Sequence, residues 1–188
     1  LSGAAAARHI LDAAGLQDVG IEQIGGQLSD HYDPQAKVLR LSSDVFRSHS
    51  AAAVGIAAHE AGHALQDAQN YGALVVRNAA VPLAGFGSNA SLWMLMGGFL
   101  LGMPMLVKVG IIAFAFVVFF QLINLPVEFD ASNRAKRLLV DYGIVGQAEY
   151  PYVRSVLNAA GWTYVAATLQ AVLTLLYYIY RFSGSSDE

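Results

Sequence analysis

The pattern of apolar and polar residues changes from segment to segment along this chain of 188 residues. Residues 4–16 are Ala-rich and place Ile10 and Leu11 on one helical face, which predicts a short helix ending near Gly15. Residues 19–24 predict a strand. Residues 27–32 and 37–42 predict the two arms of a hairpin.

The turn and the second arm of this hairpin carry the strongest local signals. The turn is Asp33-Pro34-Gln35-Ala36, whose residue types favour a reversal of the chain. The arm 37–42 alternates polar and apolar residues, as a half-buried strand does. A helix is then predicted over residues 50–69, opened by a polar cluster at 48–50. Its side chains are mostly Ala and Gly, so neighbours can pack close to it.

Three long apolar runs follow, at residues 79–102, 109–125 and 163–180. The first two have about the length that crosses a bilayer, roughly 20 residues, and a short turn containing Lys108 separates them. They predict a transmembrane hairpin that returns the chain to the side it left. The third run has tyrosines near its ends, as in an aromatic belt. Buried core helices are the alternative, but two nearly charge-free runs in tandem are rare in soluble folds.

These patterns divide the chain into four parts. Residues 1–78 are predicted to face water, and 79–125 to form the transmembrane hairpin. Residues 126–162 are predicted to be water-facing helices, and 163–188 a third transmembrane helix with a polar tail. The expected architecture is mainly α, with a small β-hairpin or sheet, carried on about three transmembrane helices.

Composition supports a membrane protein and excludes several functions. Charged residues make up 13% of the chain, against about 25% in typical soluble domains. The net charge is −3 and no basic run is present, so nucleic-acid binding is not expected. The chain has no cysteine. Any metal must therefore be held by His, Asp or Glu.

The predicted helix 50–69 contains the motif His59-Glu60-Ala61-Gly62-His63. Residues four apart share one face of a helix, so both imidazoles can reach one metal ion. Glu60 would lie near that ion without binding it, which suits a base that takes a proton from water. Two histidines at this spacing also occur on plain helices. On so small-sided a helix, the functional interpretation is favoured.

A catalytic zinc ion usually has three protein ligands and one open position. No histidine follows His63 in the sequence, because the others lie earlier, at positions 9, 31 and 49. Asp67 lies one turn past His63 and is too close along the helix to turn back towards the ion.

Glu128 is the better candidate for the third ligand. It lies where the second apolar run gives way to polar sequence, and a carboxylate there is costly unless it binds something. The alternative is a charge at the membrane surface paired with Arg134 or Lys136.

Four blocks of this chain resemble the neutral zinc metallopeptidase family often labelled YugP-like: LSDHYDP (28–34), HEAGHA (59–64), LPVEFDASNRA (125–135) and TYVAA (163–167). The resemblance covers nearly the whole chain. More distantly, the chain is similar to the HtpX-type and CAAX-prenyl membrane proteases. The resemblance implies a zincin-like, gluzincin-type core holding one zinc ion, with His59, His63 and Glu128 as ligands and Glu60 as base.

The sequence departs from these relatives in two respects. The distant relatives place an Asp four residues after the ligand Glu, where it supports a ligand histidine, and this chain has Ser132 there. Asp130 is expected to take that supporting role. Members of the family usually have a membrane segment before the region where this chain begins, so an upstream segment is also expected.

The expected activity is that of a membrane zinc metalloendopeptidase acting on polypeptides in or near the bilayer. The substrate is expected to add to the strand at 37–42 by β-augmentation. His31, Tyr32, Arg134 and Tyr152 are the candidates for stabilising the oxyanion. A homo-oligomer or a membrane-protein partner is left open.

Basic residues predict the orientation. Arg77, Arg134, Lys136 and Arg137 flank the apolar runs on the side of the motif, whereas the opposite loop has only Lys108. The positive-inside rule then places the active site on the cytoplasmic side of a bacterial cytoplasmic membrane. Two other classes are considered. One is a non-catalytic membrane scaffold that keeps the zincin fold. The other is a metal transporter, although its ligands would normally lie at mid-bilayer.

Overall fold

The structure is a computed structural model that describes residues 1–184. It is mainly helical with one small sheet, as the sequence predicts. In chain order the elements are α1 (Gly3–Ala13), β1 (Gly20–Ile24), β2 (His31–Asp33), β3 (Val38–Ser42), α2 (Ser43–Arg47), α3 (Ala51–Ala68), α4 (Gly72–Leu100), α5 (Pro104–Asp141) and α6 (Tyr150–Ser183).

The sheet has the strand order β1-β3-β2, with β1 parallel and β2 antiparallel to β3. The predicted hairpin is confirmed as β2 and β3. Its turn is held by Asp33 Oδ1, which accepts hydrogen bonds from the backbone N–H groups of Gln35 at 2.9 Å and Ala36 at 3.1 Å. The prediction that a substrate strand adds to residues 37–42 is wrong. β3 is the central strand, so both of its edges already pair with neighbours.

The chain forms two compact units. The first contains Leu1–Leu74 and Val127–Trp162. Its core joins side chains of the first helix, the central strand, the motif helix, α5 and α6, and the most deeply buried of them include Ile10, Leu11, Leu39, Leu41, Ala57, Ala61, Leu139 and Val153. Helix α3 begins as predicted, with the Ser50 hydroxyl accepting from the backbone N–H of Ala53 at 3.1 Å.

Helices α3 and α5 approach each other closely at Gly62. A Cβ atom placed on Gly62 would lie 2.7 Å from the carbonyl oxygen of Ala131, which is closer than real Cβ atoms come to any atom. Only glycine allows the two backbones to meet there. This contact brings the face of α3 that carries the motif against the part of α5 that carries Glu128.

The second unit contains Val75–Pro126 and the chain from Thr163 onward. Within it α4 packs closely on α5, since a Cβ on Gly98 or Gly110 would fall within 3.1 Å of atoms across that contact. Many large apolar side chains of this unit are exposed: Leu83, Phe86, Trp93, Phe99, Ile112, Phe116, Leu173 and Leu176. Water is a poor solvent for such a surface, so a bilayer is its expected surrounding.

Two helices, α5 and α6, are long and apolar enough to cross a membrane. Helix α4 is not one of them, so the span predicted at 79–102 stays a prediction. The last of the water-facing helices predicted within 126–162 and the apolar run at 163–180 are one helix, α6, rather than two. The polar tail predicted for the C-terminus falls mostly on residues 185–188, outside the described residues.

Candidate metal centre

Helix α3 carries both histidines of the motif on one side. Their rings lie edge to face, with centroids 4.7 Å apart and planes at 88°. This is the arrangement expected for residues one helical turn apart. Glu60 and His63 are buried, and His59 is partly exposed. The same helix therefore presents two nitrogen donors and one carboxylate that is largely shielded from water.

Glu128 of α5 faces the two histidines. Its Oε2 atom lies 2.8 Å from His59 Nε2 and 3.5 Å from His63 Nε2, and the side chain is buried. One donor atom from each of these three residues lies within 4.8 Å of the others. The two alternative partners of Glu128 are engaged elsewhere. Arg134 Nε donates to Asp130 at 2.6 Å, and Lys136 Nζ donates to Asn158 at 3.0 Å.

The donor spacing fits a zinc ion. Zn–N and Zn–O bonds are about 2.0–2.1 Å long, so donors around a tetrahedral ion lie roughly 3.3 Å apart. The distances of 2.8 and 3.5 Å from Glu128 to the two histidines bracket that value. Two imidazoles and one carboxylate also leave the fourth position open, as catalytic zinc sites do. These three residues would hold the ion.

The far nitrogen of each imidazole has its own partner. His59 Nδ1 lies 2.9 Å from the Ser132 hydroxyl, and His63 Nδ1 lies 2.9 Å from Gln66 Oε1. Partners of this kind fix ring orientation in metal sites. Ser132 thus occupies the supporting place that the distant relatives give to an Asp.

Asp130 does not take the supporting role expected of it. Its carboxylate accepts from Gln66 Nε2 at 2.9 Å and from Arg134 Nε. Asp130 therefore contacts Gln66 rather than a histidine. Sequence reasoning missed Gln66. The available signal was its position three residues after His63, which places the two side chains on one face of the helix.

The four candidates for stabilising the oxyanion lie in different surroundings. Tyr32 donates to Asp67 Oδ2 at 2.7 Å. Burial raises the pKa of Tyr32, and the hydrogen bond to the Asp67 carboxylate and its charge raise it further. Arg134 is held by Asp130 and by Gln69 at 2.5 Å. The His31 ring lies 2.8 Å from the carbonyl of Ser29, and Tyr152 is exposed.

Comparison of the sequence with known proteins identifies a family. Residues 1–183 match the family model described as "Putative neutral zinc metallopeptidase". The chain therefore belongs to this family, whose name implies a zinc cofactor.

A relative within it is the protein named "Putative membrane protease YugP" from Bacillus subtilis (strain 168). The two are 47% identical over 187 residues, which cover 100% of this chain and 83% of the relative. No solved structure matches the chain significantly.

Proposed function

We propose that this protein is a membrane-bound zinc metalloendopeptidase that cleaves membrane or membrane-proximal polypeptides. The observation that carries the proposal is the convergence of His59, His63 and Glu128, whose donor atoms lie within 4.8 Å of one another. A buried carboxylate beside two imidazoles has the composition of a catalytic zinc site of the gluzincin type.

Each residue of the candidate site has a distinct task in this proposal. His59, His63 and Glu128 would hold the ion. A bound zinc ion would act as a Lewis acid: it would lower the pKa of water to about 7 and polarise the carbonyl under attack. Glu60 accepts the proton of the attacking water and returns it to the leaving amine. Glu60 is buried beside the histidine pair, so it is shielded from bulk water.

The substrate is proposed to bind along β2 rather than along β3. β2 is an outer strand of the sheet, so one of its edges can accept an extended peptide by β-augmentation. It is also tied to the motif helix, because the Tyr32 hydroxyl donates to Asp67 of α3. A peptide on this edge would be held by backbone hydrogen bonds, which favours substrates that are locally unfolded.

The membrane arrangement is part of the proposal. Helix α4 is proposed as a third span beside α5 and α6, because large apolar side chains such as Phe86 and Trp93 are exposed along it. The site is proposed to face the cytoplasm of a bacterium. The cluster Arg134, Lys136 and Arg137 in the unit that holds the site supports this orientation.

The test is peptidase activity of the purified, zinc-loaded protein in detergent, with unfolded casein as substrate. Glu60→Gln is expected to retain zinc and to lose activity by a factor of about 10²–10⁴, the usual contribution of a general base. Glu149→Gln is the matched control, because Glu149 is exposed and belongs to the same unit. It should keep full activity.

Two results would reject the proposal in favour of the other classes. If the wild-type protein binds zinc but cleaves nothing, the scaffold interpretation is favoured. If the protein carries zinc into liposomes without proteolysis, it is a transporter. Full activity in a zinc-loaded Glu60→Gln protein would reject the assigned base alone.

A further inference from the structure

Gln66 is a large polar side chain in the protein interior. Among the largest side chains of the described residues that are less than 2% exposed, only Gln66 is polar. It lies one turn beyond His63 on α3, and all of its amide hydrogen-bonding atoms have partners. A buried amide with so complete a set of partners has a fixed orientation. The orientation can be deduced from the identity of those partners.

The amide nitrogen of Gln66 faces two atoms that can only accept. Nε2 lies 2.9 Å from the carbonyl oxygen of Val127 and 2.9 Å from Asp130 Oδ2. An NH₂ group has two hydrogens to donate and satisfies both. In the opposite orientation an oxygen would face two oxygens. The carbonyl oxygen of Gln66 must therefore be the atom beside His63.

This orientation determines the state of His63. Gln66 Oε1 lies 2.9 Å from His63 Nδ1 and can only accept, so Nδ1 must carry the hydrogen. A neutral imidazole protonated at Nδ1 has its lone pair on Nε2. Nε2 is the atom that faces Glu128, at 3.5 Å. The free lone pair therefore points to the position where the metal would bind.

The structure assigns to Gln66 the role of a positioning residue that holds His63 in its metal-binding tautomer. Asp130 fixes Gln66 through one amide hydrogen, and Arg134 in turn holds Asp130. The contact of His59 with Ser132 is less restrictive, because a hydroxyl can either donate or accept. This inference deepens the proposed function, since it concerns the same metal site.

The direct test combines zinc affinity with the tautomer of His63. Zinc dissociation constants would be measured in detergent by competition with a chelator, and the tautomer by ¹⁵N NMR of histidine-labelled, zinc-free protein. Gln66→Met has similar length but no amide, and it is expected to weaken zinc binding about 10–100-fold and to lose the single tautomer. Gln69→Met is the matched control, because Gln69 lies on the next turn and contacts Arg134 but no imidazole.

A double variant separates this role from simple packing. In Gln66→Glu/Asp130→Asn the new carboxylate can still accept from His63 and from the new amide, although the Val127 carbonyl loses its donor. The double variant is therefore expected to restore the Nδ1-protonated tautomer of His63 that Gln66→Met loses, with a zinc affinity below that of the wild type.

Three results have distinct meanings. If Gln66→Met binds zinc within about threefold of the wild type, or if the double variant shows no more of the Nδ1-protonated tautomer of His63 than Gln66→Met does, the inference is overturned. If the wild type binds no zinc, the proposed function fails, whereas a single Nδ1-protonated His63 in the zinc-free protein still supports the role of Gln66.

Discussion

Replacing Gly62 by Ala tests whether the close contact of α3 with α5 sets the geometry of the metal centre. The new Cβ would lie 2.7 Å from the carbonyl oxygen and 3.3 Å from the carbonyl carbon of Ala131. Ordinary contact begins near 3.4 Å, so the shortfall is about 0.7 Å. The obstacle is backbone rather than a flexible side chain, and the two helices must separate to relieve it.

The energetic effect can be bounded. Overpacking a tight contact typically costs about 1–3 kcal/mol. Replacing Gly by Ala inside a helix contributes about 1 kcal/mol in the opposite direction, through helix propensity. Gly62→Ala should therefore lower the free energy of unfolding by about 0–2 kcal/mol. The effect on the site should be larger, because Ala131 lies one turn after Glu128 and any shift of α5 moves that carboxylate away from His59 and His63.

Gly55→Ala is the matched control on the same helix. Its Cβ would meet Val153 Cγ1 at 3.4 Å, an ordinary contact with a side chain, so only the favourable propensity term remains. The difference between the two variants isolates the clash, at about 1–3 kcal/mol. For a chain of this size that corresponds to roughly 2–12 °C in Tm.

The assay is thermal unfolding in detergent, together with zinc affinity by chelator competition. Gly62→Ala is expected to melt below Gly55→Ala and to bind zinc at least about tenfold more weakly, since misplacement of one ligand is comparable to loss of its support. Equal Tm values and equal zinc affinities for the two variants would refute the argument that this approach positions the carboxylate.

Two further predictions concern the hairpin and the membrane. The backbone N–H of Ala36 and the hydrogen bond from Arg40 hold the pKa of Asp33 below its ordinary value of 3.8, so its contribution to stability is present above that pH and is lost as the pH falls through the folded-state pKa. Asp33→Asn should lower Tm at pH 7, and the difference in Tm from the wild type should close below about pH 4 when melting is measured across pH. A difference in Tm that widens in acid would contradict this prediction. Because the chain has no cysteine, single cysteines can report its orientation. An impermeant maleimide added to intact spheroplasts should label Met103→Cys but reach Ser155→Cys only after lysis; the reverse pattern would place the site outside.

The sequence predicted the elements of the sheet but not their neighbours. Alternation along residues 37–42 correctly indicates a strand but wrongly indicates a half-buried one, since β3 is buried on both faces. Asp33-Pro34 correctly indicates the turn before it. Which strand covers the second edge of β3 depends on β1, which pairs in parallel after an intervening hairpin arm. Periodicity contains no information on which edge of a strand is free, so the substrate strand was misplaced.

Helix α6 shows a different reason for error. The change to apolar sequence after residue 162 suggested a boundary between two helices. In the structure Gly161 lies inside one helix, and the ring of Phe129 occupies the space beside it, with Cε1 at 2.9 Å from where a Cβ would be. The glycine serves packing rather than termination. That use depends on a residue more than thirty positions away, which local patterns do not contain.

The supporting contacts of the metal centre were the least predictable part. The two histidines are recognisable from their spacing alone, because a helix fixes their relation. Gln66 depends on Val127 and Asp130, which are 61 and 64 residues away. Its long side chain could point elsewhere on an isolated helix. Only the meeting of α3 with α5 selects the conformation that supports His63.

The distance in sequence between His59 and Glu128, 69 residues, has a consequence for biosynthesis. A ribosome adds about 5–20 residues per second, so the carboxylate emerges roughly 3 to 14 seconds after the histidine pair. The apolar stretch that must enter the bilayer is translated in that interval. A nascent chain therefore has only two of its three donors until the apolar stretch has been made, so the metal centre can form only after that stretch has been synthesised.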